Sequence, residues 1–210
     1  MQIKGKKIVI TAGGTIEEID PVRYISNYSS GKMGIALADI AHKNGADTVL
    51  ITTVNVENKN YKVVRVKSAL DMQNAVKQEF DNADCVIMAA AVADYRPQKR
   101  EAQKIKKNNS DELTIKLVKN PDILKEISTT KTSQIIVGFC AESENLIKNA
   151  KEKIAEKGCD YLVANDISRK DIGFSSDYNE VTILDKNGTM VKLERANKTR
   201  IAEQIFEVIF

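Results

Sequence analysis

The sequence predicts an α/β protein, a Rossmann-like three-layer domain with a mostly parallel sheet plus a small β-hairpin appendage. Short apolar runs of strand length at 6–11, 48–52, 63–66, 84–92, 135–141 and 161–164 alternate with segments of helical periodicity. The buried runs are apolar almost throughout rather than alternating, as strands covered by helices on both faces are. Ser, Gly and Pro punctuate the joints where helix caps and turns belong.

Residues 6–11 form the first strand and 31–44 the first helix, with Ser29 or Ser30 as its N-cap and Gly45 at C′. The connection between them, 13–34, far exceeds the ~2–6 residues such joints usually take, which marks it as functional. After strands at 48–52 and 63–66, Ser68 caps a helix reaching Phe80, with Leu70, Val76 and Phe80 on its apolar side. The strand at 84–92 ends in Ala89-Ala90-Ala91, small side chains that leave room for a ligand. Residues 113–118 alternate with period two, a half-exposed strand; Asn120-Pro121-Asp122 ends it and opens a short helix, with Pro121 in the first turn. A buried strand at 135–141 precedes a helix from about 144 to 157, stopped by Gly158, and the strand at 161–164 runs into polar Asn165-Asp166. Residues 181–184 and 190–193 flank Asp185-Lys186-Asn187-Gly188 as a hairpin, and the last helix carries Ile201, Ile205, Val208 and Ile209 at helical spacing. At 210 residues without repeat or linker, a single domain spanning 1–210 is expected.

Composition narrows the chemistry. A formal net charge of +3 gives no whole-molecule attraction to nucleic acid, so any cationic site must be local. No apolar run approaches the ~20 residues that cross a bilayer, and no signal-peptide pattern precedes the first strand, so a cytoplasmic protein without membrane contact is expected. Cys85, Cys140 and Cys159 lack Cys-x-x-Cys spacing, and His42 has no partnering motif. Catalysis must then rest on amides, Lys, Arg and Asp.

Two glycine clusters bracket the long connection. Gly13-Gly14 lets backbone approach a ligand closely, and Ser29-Ser30-Gly31-Lys32-Met33-Gly34 opens a helix whose first N–H groups attract phosphate. Arg23, Asn27 and Lys32 lie with them, so an anion site is favoured over an ordinary turn and cap. The spacing matches neither Gly-x-Gly-x-x-Gly nor a Walker A loop. Parallel sheets bind ligands beyond the carboxyl ends of their strands at a switch in strand order, so Gly13-Gly14 and Ala89-Ala90-Ala91 are expected to line one crevice. The basic segment after Asp94, with Lys99, Arg100, Lys104, Lys106 and Lys107, reads either as a solvated loop or as cations that close over a triphosphate.

Several stretches in order resemble phosphopantothenate-cysteine ligase, also called phosphopantothenoylcysteine synthetase. They are TAGGTIEEIDPVRYISNYSSGKMG at 11–34, MAAAVADYRP at 88–97, KIKK at 104–107, VKNPDIL at 118–124, VGFCAES at 137–143 and ANDI at 164–167, with 173–177 and the terminal hairpin also fitting. The resemblance is to a stand-alone bacterial type, so FMN is not expected. It implies that L-cysteine is ligated to 4'-phosphopantothenate using CTP and Mg²⁺ through an acyl-cytidylate, giving 4'-phosphopantothenoylcysteine, CMP and pyrophosphate in coenzyme A biosynthesis.

By the same resemblance, Asn27 and Lys104 are catalytic: Asn27 orients the carboxylate and Lys104 offsets phosphate charge, with Lys106 or Lys107 assisting. Gly14, Ser29, Gly31 and Gly34 face nucleotide phosphate. Met88, Ala89, Ala90, Asp94, Pro121, Asp122, Ile123, Leu124, Phe139, Lys153, Lys157 and Asn165 contact the nucleotide. Ala90, Ala91, Asp94 and Asn27 meet phosphopantothenate, and Arg23 reaches the phosphopantothenate phosphate of a neighbouring subunit, which implies a homodimer with the hairpin as a dimerisation appendage. Metal ligands are not assigned. Base choice between CTP and ATP turns on backbone groups around 88–90 and 121–124, and the bacterial-type motifs favour CTP. A nicotinamide-dependent oxidoreductase shares the sheet pattern, but Thr52-Thr53-Val54-Asn55 follow the second strand where a ribose acid is expected. A nucleotide-binding regulatory module without turnover is the other rival, against which the many cations and Asn27 speak.

Overall fold

A computed structural model describes residues 2–106, 112–142, 144–166 and 176–210. In chain order the strands are β1 (Lys7–Ala12), β2 (Ile16–Asp20), β3 (Arg23–Ser26), β4 (Asp47–Thr52), β5 (Lys62–Arg65), β6 (Cys85–Met88), β7 (Tyr95–Pro97), β8 (Leu117–Lys119), β9 (Ile135–Glu142), β10 (Tyr161–Asp166), β11 (Tyr178–Asp185) and β12 (Met190–Asn197). The helices are α1 (Lys32–Lys43), α2 (Ala69–Phe80), α3 (Ile123–Thr130), α4 (Leu146–Lys157) and α5 (Lys198–Ile209).

Eight strands make one sheet in the order β12-β11-β10-β9-β6-β1-β4-β5. From β5 to β9 and β10 the pairings are parallel, and β11 and β12 close the far side antiparallel. Strand order reverses between β1 and β6: the chain travels outward from β1 through β4 to β5, then returns to β6 on the other flank of β1. A crevice at the carboxyl ends of these two strands is the geometric result.

Side chains alternate across β1. Ile8 and Ile10 join a core with Leu37, Ala41, Ile201 and Phe206 from α1 and α5, and Val9 joins another with Met72, Val76, Ile123 and Ala150 from α2, α3 and α4. This is the three-layer arrangement the uninterrupted apolar runs imply. Ser68 caps α2 through a reciprocal box with Asp71, and Gly45 follows the end of α1 at φ 81°.

Several elements differ from expectation. The hairpin of β11 and β12 forms as predicted but joins the main sheet through β10, because Val181, Ile183, Leu184 and Leu193 bury their side chains there. The small separate hairpins are β2 with β3, inside the long connection, and β7 with β8. Of the stretch read as a strand at 113–118 only Leu117 and Val118 enter β8, which adds Lys119, because its partner Tyr95–Pro97 is equally short. Leu70 is exposed: two residues from Met72, it lies about 200° round the helix from the face that Met72, Ala75, Val76 and Phe80 bury. Pro121 precedes the cap, and Asp122 caps α3 by accepting from the Lys125 N–H at 3.1 Å. The first-helix cap is Gly31 at φ 76°, a left-handed conformation that serine avoids, so neither Ser29 nor Ser30 caps α1.

Gly34 fixes how closely α1 approaches β1. A Cβ there would lie 2.6 Å from the Thr11 carbonyl oxygen and 2.7 Å from the Ala12 Cβ. In an open helix Gly→Ala stabilises by about 1 kcal/mol. Here we expect Gly34→Ala to destabilise instead, by about 1–3 kcal/mol, as overpacking does; urea unfolding followed by circular dichroism reads the sign.

Candidate functional site

The end of β1 is built to hold the segment that follows β6. Gly13 turns at φ 89°, its carbonyl accepts from the Ala91 N–H at 2.9 Å, and the Thr15 N–H donates to the Ala91 carbonyl at 3.2 Å. Two threonine hydroxyls complete the seam: Thr11 Oγ1 accepts from the Ala90 N–H at 3.1 Å and Thr15 Oγ1 from the Ala93 N–H at 2.9 Å. The predicted convergence of Gly13-Gly14 with Ala89-Ala90-Ala91 is therefore a set of hydrogen bonds.

Two adjoining cavities open here. The smaller, about 120 Å³, is bounded by residues 29–34 at the start of α1, by Ala89, Ala90 and Ala91, by Phe139, Cys140 and Ala141 on β9, and by Asn165, Asn179 and Lys198. The larger, about 810 Å³, is bounded by Asn27, Met88, residues 90–95 and 119–125, Phe139, Cys140, Ala141, Lys153, Glu156, Lys157 and Leu162. Ala90, Ala91, Phe139, Cys140 and Ala141 belong to both walls, so the cavities adjoin along one seam.

The residues singled out from sequence sort between them. Ser29, Gly31, Gly34, Ala89 and Asn165 face the small cavity; Ala90, Ala91 and Phe139 face both. Asn27, Met88, Asp94, Pro121, Asp122, Ile123, Leu124, Lys153 and Lys157 face the large one. Gly14 lines neither: a Cβ there would meet the Asn27 carbonyl oxygen at 2.6 Å, so its bare backbone seats Asn27. The Asn27 Nδ2 donates to the Ala91 carbonyl at 3.3 Å, which holds the carboxamide at the seam. Arg23 and Lys104 also lie outside both linings. Lys107, Ser143, Ile167 and residues 173–175 fall outside the described residues.

A buried carboxylate ties the basic segment to the hairpin of β2 and β3. Asp20, 1% exposed, accepts from the N–H groups of Val22 and Arg23 at 2.9 Å, from the Ile105 N–H at 3.1 Å, and from the Arg23 guanidinium at 2.6 Å. Arg23 in turn donates to the Ile105 carbonyl at 2.9 Å. Burial opposes ionisation of Asp20, but the Arg23 guanidinium and the Val22 and Ile105 N–H groups outweigh it and hold the carboxyl well below the usual carboxylate range.

The two cavities differ in charge. The small one is lined by Lys32 and Lys198 and by no Asp or Glu among the described residues. Lys32 pairs with Asp177 at 2.6 Å. Lys198 is 6% exposed, and burial, with the Lys32 charge adding to it, pushes its ammonium down to about 8 while Asp177 pulls the other way. Among the described residues, no side chain caps the first-turn amides of α1, and none bonds the buried Asn165 Oδ1. In the large cavity, Lys153 pairs with Glu142 and Lys157 with Asp122, each at 2.6 Å. Burial works against the charge on Lys157, but Asp122 raises its pKa above the ordinary lysine value.

Sequence reasoning missed Lys198, Asn179, Lys119, Asn120, Lys125 and Glu156 at these walls. Asn179 had a signal, a polar residue just ahead of the buried run Val181–Leu184 in β11. Lys198 had none, since a lysine in the first turn of a helix ordinarily faces water.

A family model described as the DNA/pantothenate metabolism flavoprotein C-terminal domain matches residues 3–210. The chain is 42% identical to the coenzyme A biosynthesis bifunctional protein CoaBC of Borreliella burgdorferi, over 99% of this chain and 53% of that protein. It is 41% identical to CoaBC of Bacillus subtilis, over 99% of this chain and 52% of that one. The chain thus spans about half the length of these curated relatives. A crystal structure of a CoaBC C-terminal domain, 38% identical, superposes with a TM-score of 0.82 over 99% of this chain and 95% of the other.

The Asp20 tether makes a prediction independent of any ligand. Asp20→Ala removes the acceptor for the Ile105 amide, whose hydrogen exchange should then quicken at least about tenfold. Exchange in β1 and β6 should stay unchanged, and mass spectrometry of the exchanged peptides reads both.

Proposed function

The chain belongs to the family of DNA/pantothenate metabolism flavoprotein C-terminal domains, and from that membership we propose that it is a phosphopantothenate-cysteine ligase, one ligase domain spanning 1–210. It joins L-cysteine to 4'-phosphopantothenate at the expense of CTP, for coenzyme A biosynthesis in the cytoplasm. The observation that carries the reading is the seam at Ala90 and Ala91, where Asn27 is fastened beside a cavity large enough for a nucleotide and an acid together.

A carboxylate is a poor electrophile, so the acid must be activated before an amine displaces oxygen from it. A carboxylate oxygen of phosphopantothenate attacks the α-phosphorus of CTP, the bond to the bridging oxygen breaks, and pyrophosphate leaves with that electron pair. The deprotonated cysteine amine then attacks the acyl carbon and CMP departs, leaving the amide. Asn27 suits the first step because its neutral carboxamide donates to a carboxylate without repelling a phosphate. Met88, Ala89, Ala90, Pro121, Asp122, Ile123 and Leu124 offer backbone groups to the nucleoside, Phe139 an aromatic face, and Lys153 and Lys157 cations. Asp94 stands where both ligands would meet it.

Lys104 and Arg23 enter by way of the Asp20 tether, which keeps the Lys104 backbone next to Arg23. We assign Lys104 to the α-phosphate, where its charge offsets the charge that builds during transfer. Among the described residues no three His, Cys, Asp or Glu side chains gather into a metal site. The donor set suits a magnesium ion that arrives on the triphosphate and keeps phosphate and water oxygens as its main ligands, with a single carboxylate such as Asp94 added. Its chemistry would be to shield the phosphate charge.

A homodimer follows from the same reading. Val22 and Tyr24 on β2–β3 and Tyr95 and Leu117 on β7–β8 are large apolar side chains with 59%, 60%, 46% and 40% of their surface exposed. Two such small hairpins side by side form a patch of the kind that meets a partner, and Arg23 sits among them.

Phosphorus NMR of the protein with phosphopantothenate, Mg²⁺ and CTP, without cysteine, tests the reaction. Pyrophosphate and an acyl-phosphate resonance are expected with CTP and not with ATP; their absence with both nucleotides refutes the ligase assignment. Asn27→Ala and Lys104→Ala should each lower product formation at least about 10²-fold with an unchanged circular dichroism spectrum, the loss seen when donors to a transition state are removed. Light scattering on Val22→Glu/Tyr24→Glu should report a monomer where the wild type reports a dimer.

A further inference from the structure

Asn120 stands in the wall of the large cavity with both ends of its carboxamide committed to protein partners. Its Nδ2 donates to the Ala93 carbonyl at 2.8 Å, its Oδ1 accepts from Arg96 Nη1 at 3.1 Å, and its backbone N–H donates to the Asp94 carbonyl at 2.8 Å. The same Arg96 nitrogen donates to the Lys119 carbonyl at 2.6 Å. Ala93 is itself held, because its N–H donates to the Thr15 hydroxyl at 2.9 Å. An unbroken path of hydrogen bonds therefore runs from the seam through Ala93 to Asn120, the residue just before the Pro121–Leu124 turn. The far side of that turn is fastened separately: Asp122 caps α3 through the Lys125 N–H and pairs with Lys157 of α4 at 2.6 Å, and Ile123 is buried in the core. Asn120 is the link between two walls of the cavity, residues 90–94 on one side and 121–124 on the other.

We propose that Asn120, braced by Arg96, is a positioning residue that sets the spacing of these two walls, and that this spacing makes the site accept a pyrimidine and reject a purine nucleoside triphosphate. The proposal rests on the ligase reading above, in which both walls offer backbone groups to the nucleoside. Bonds to one base from two walls form together only at one separation, since a hydrogen bond weakens steeply away from its preferred distance and angle. The single ring of cytosine and the fused rings of adenine need different separations, so a slot held at the first excludes the second by overlap. Selectivity carried by backbone groups lies in whatever holds that backbone in place. Asn120→Ala removes the bonds to Ala93 and Arg96 but keeps the N–H bond to Asp94 and the pairing of β7 with β8. The turn then loses its tie to the seam while the hairpin beside it stays.

Steady-state kinetics with CTP and, separately, with ATP, at saturating phosphopantothenate and cysteine, test the assignment. In Asn120→Ala the KM for CTP should rise at least about tenfold with kcat within about threefold, because contacts to the base are made alike in the ground and transition states. The kcat/KM for ATP should hold or rise, so the preference for CTP should fall at least about tenfold. Arg96→Lys keeps the charge but lacks the planar fork that reaches two acceptors, and should lower the preference at least about threefold. That variant carries the test if Asn120→Ala does not fold. A CTP KM that does not move, or a preference that stays constant while both nucleotides lose efficiency alike, overturns the proposal and leaves the ligase reading standing, as does a wild type that uses both nucleotides equally well. A wild-type protein that releases pyrophosphate from neither refutes both.

Discussion

The seam between the end of β1 and the segment after β6 is the constraint on which the site depends. Four hydrogen bonds from Gly13, Thr15 and the Thr11 and Thr15 hydroxyls grip residues 90–93 by their backbone. Two of these bonds make Gly14 and Ala91 a parallel bridge in the register of β1 and β6, while the Thr11 hydroxyl takes the Ala90 N–H between, and three alanines stand at the mouth of the crevice. Those alanines are the wall both cavities share. Gly14 then supports Asn27, and Gly34 draws the first turn of α1 down onto β1. Strand order, glycine placement and crevice shape are one arrangement seen at three scales.

Charge divides that crevice into unlike halves. In the large cavity, Lys153 and Lys157 already have carboxylate partners in Glu142 and Asp122. In the small cavity the first-turn amides of α1 stand with Lys198 and with Lys32, whose partner Asp177 lies outside the lining.

The sheet was legible from sequence because burial on both faces writes itself as uninterrupted apolar runs, and the caps at Ser68 and Gly45 because each meets a backbone need that few residues satisfy. The glycines were legible as a site, although their individual duties were not. Gly14 and Gly34 look alike in the sequence, yet one supports a side chain and the other seats a helix. Leu70 misled because apolar character alone does not give the angle at which a helix meets its sheet. Lys198 was invisible since its environment comes from residues far away in the chain, on α1 and β10, and nothing local to it differs from a solvated helix start. The hairpin inside the long connection was missed because Asp20, not an Asn-Gly or Gly-rich turn, closes it.

The strands that end the main sheet are β12 and β5. β12 carries Lys192 and Glu194 with 56% and 77% of their side-chain surface exposed, bridged to each other, while β5 is only four residues long, with Lys62 and Arg65 at its ends. Charged or abbreviated borders resist the addition of a foreign strand. An eight-stranded β-layer can therefore remain dispersed at high concentration without growing into ribbons.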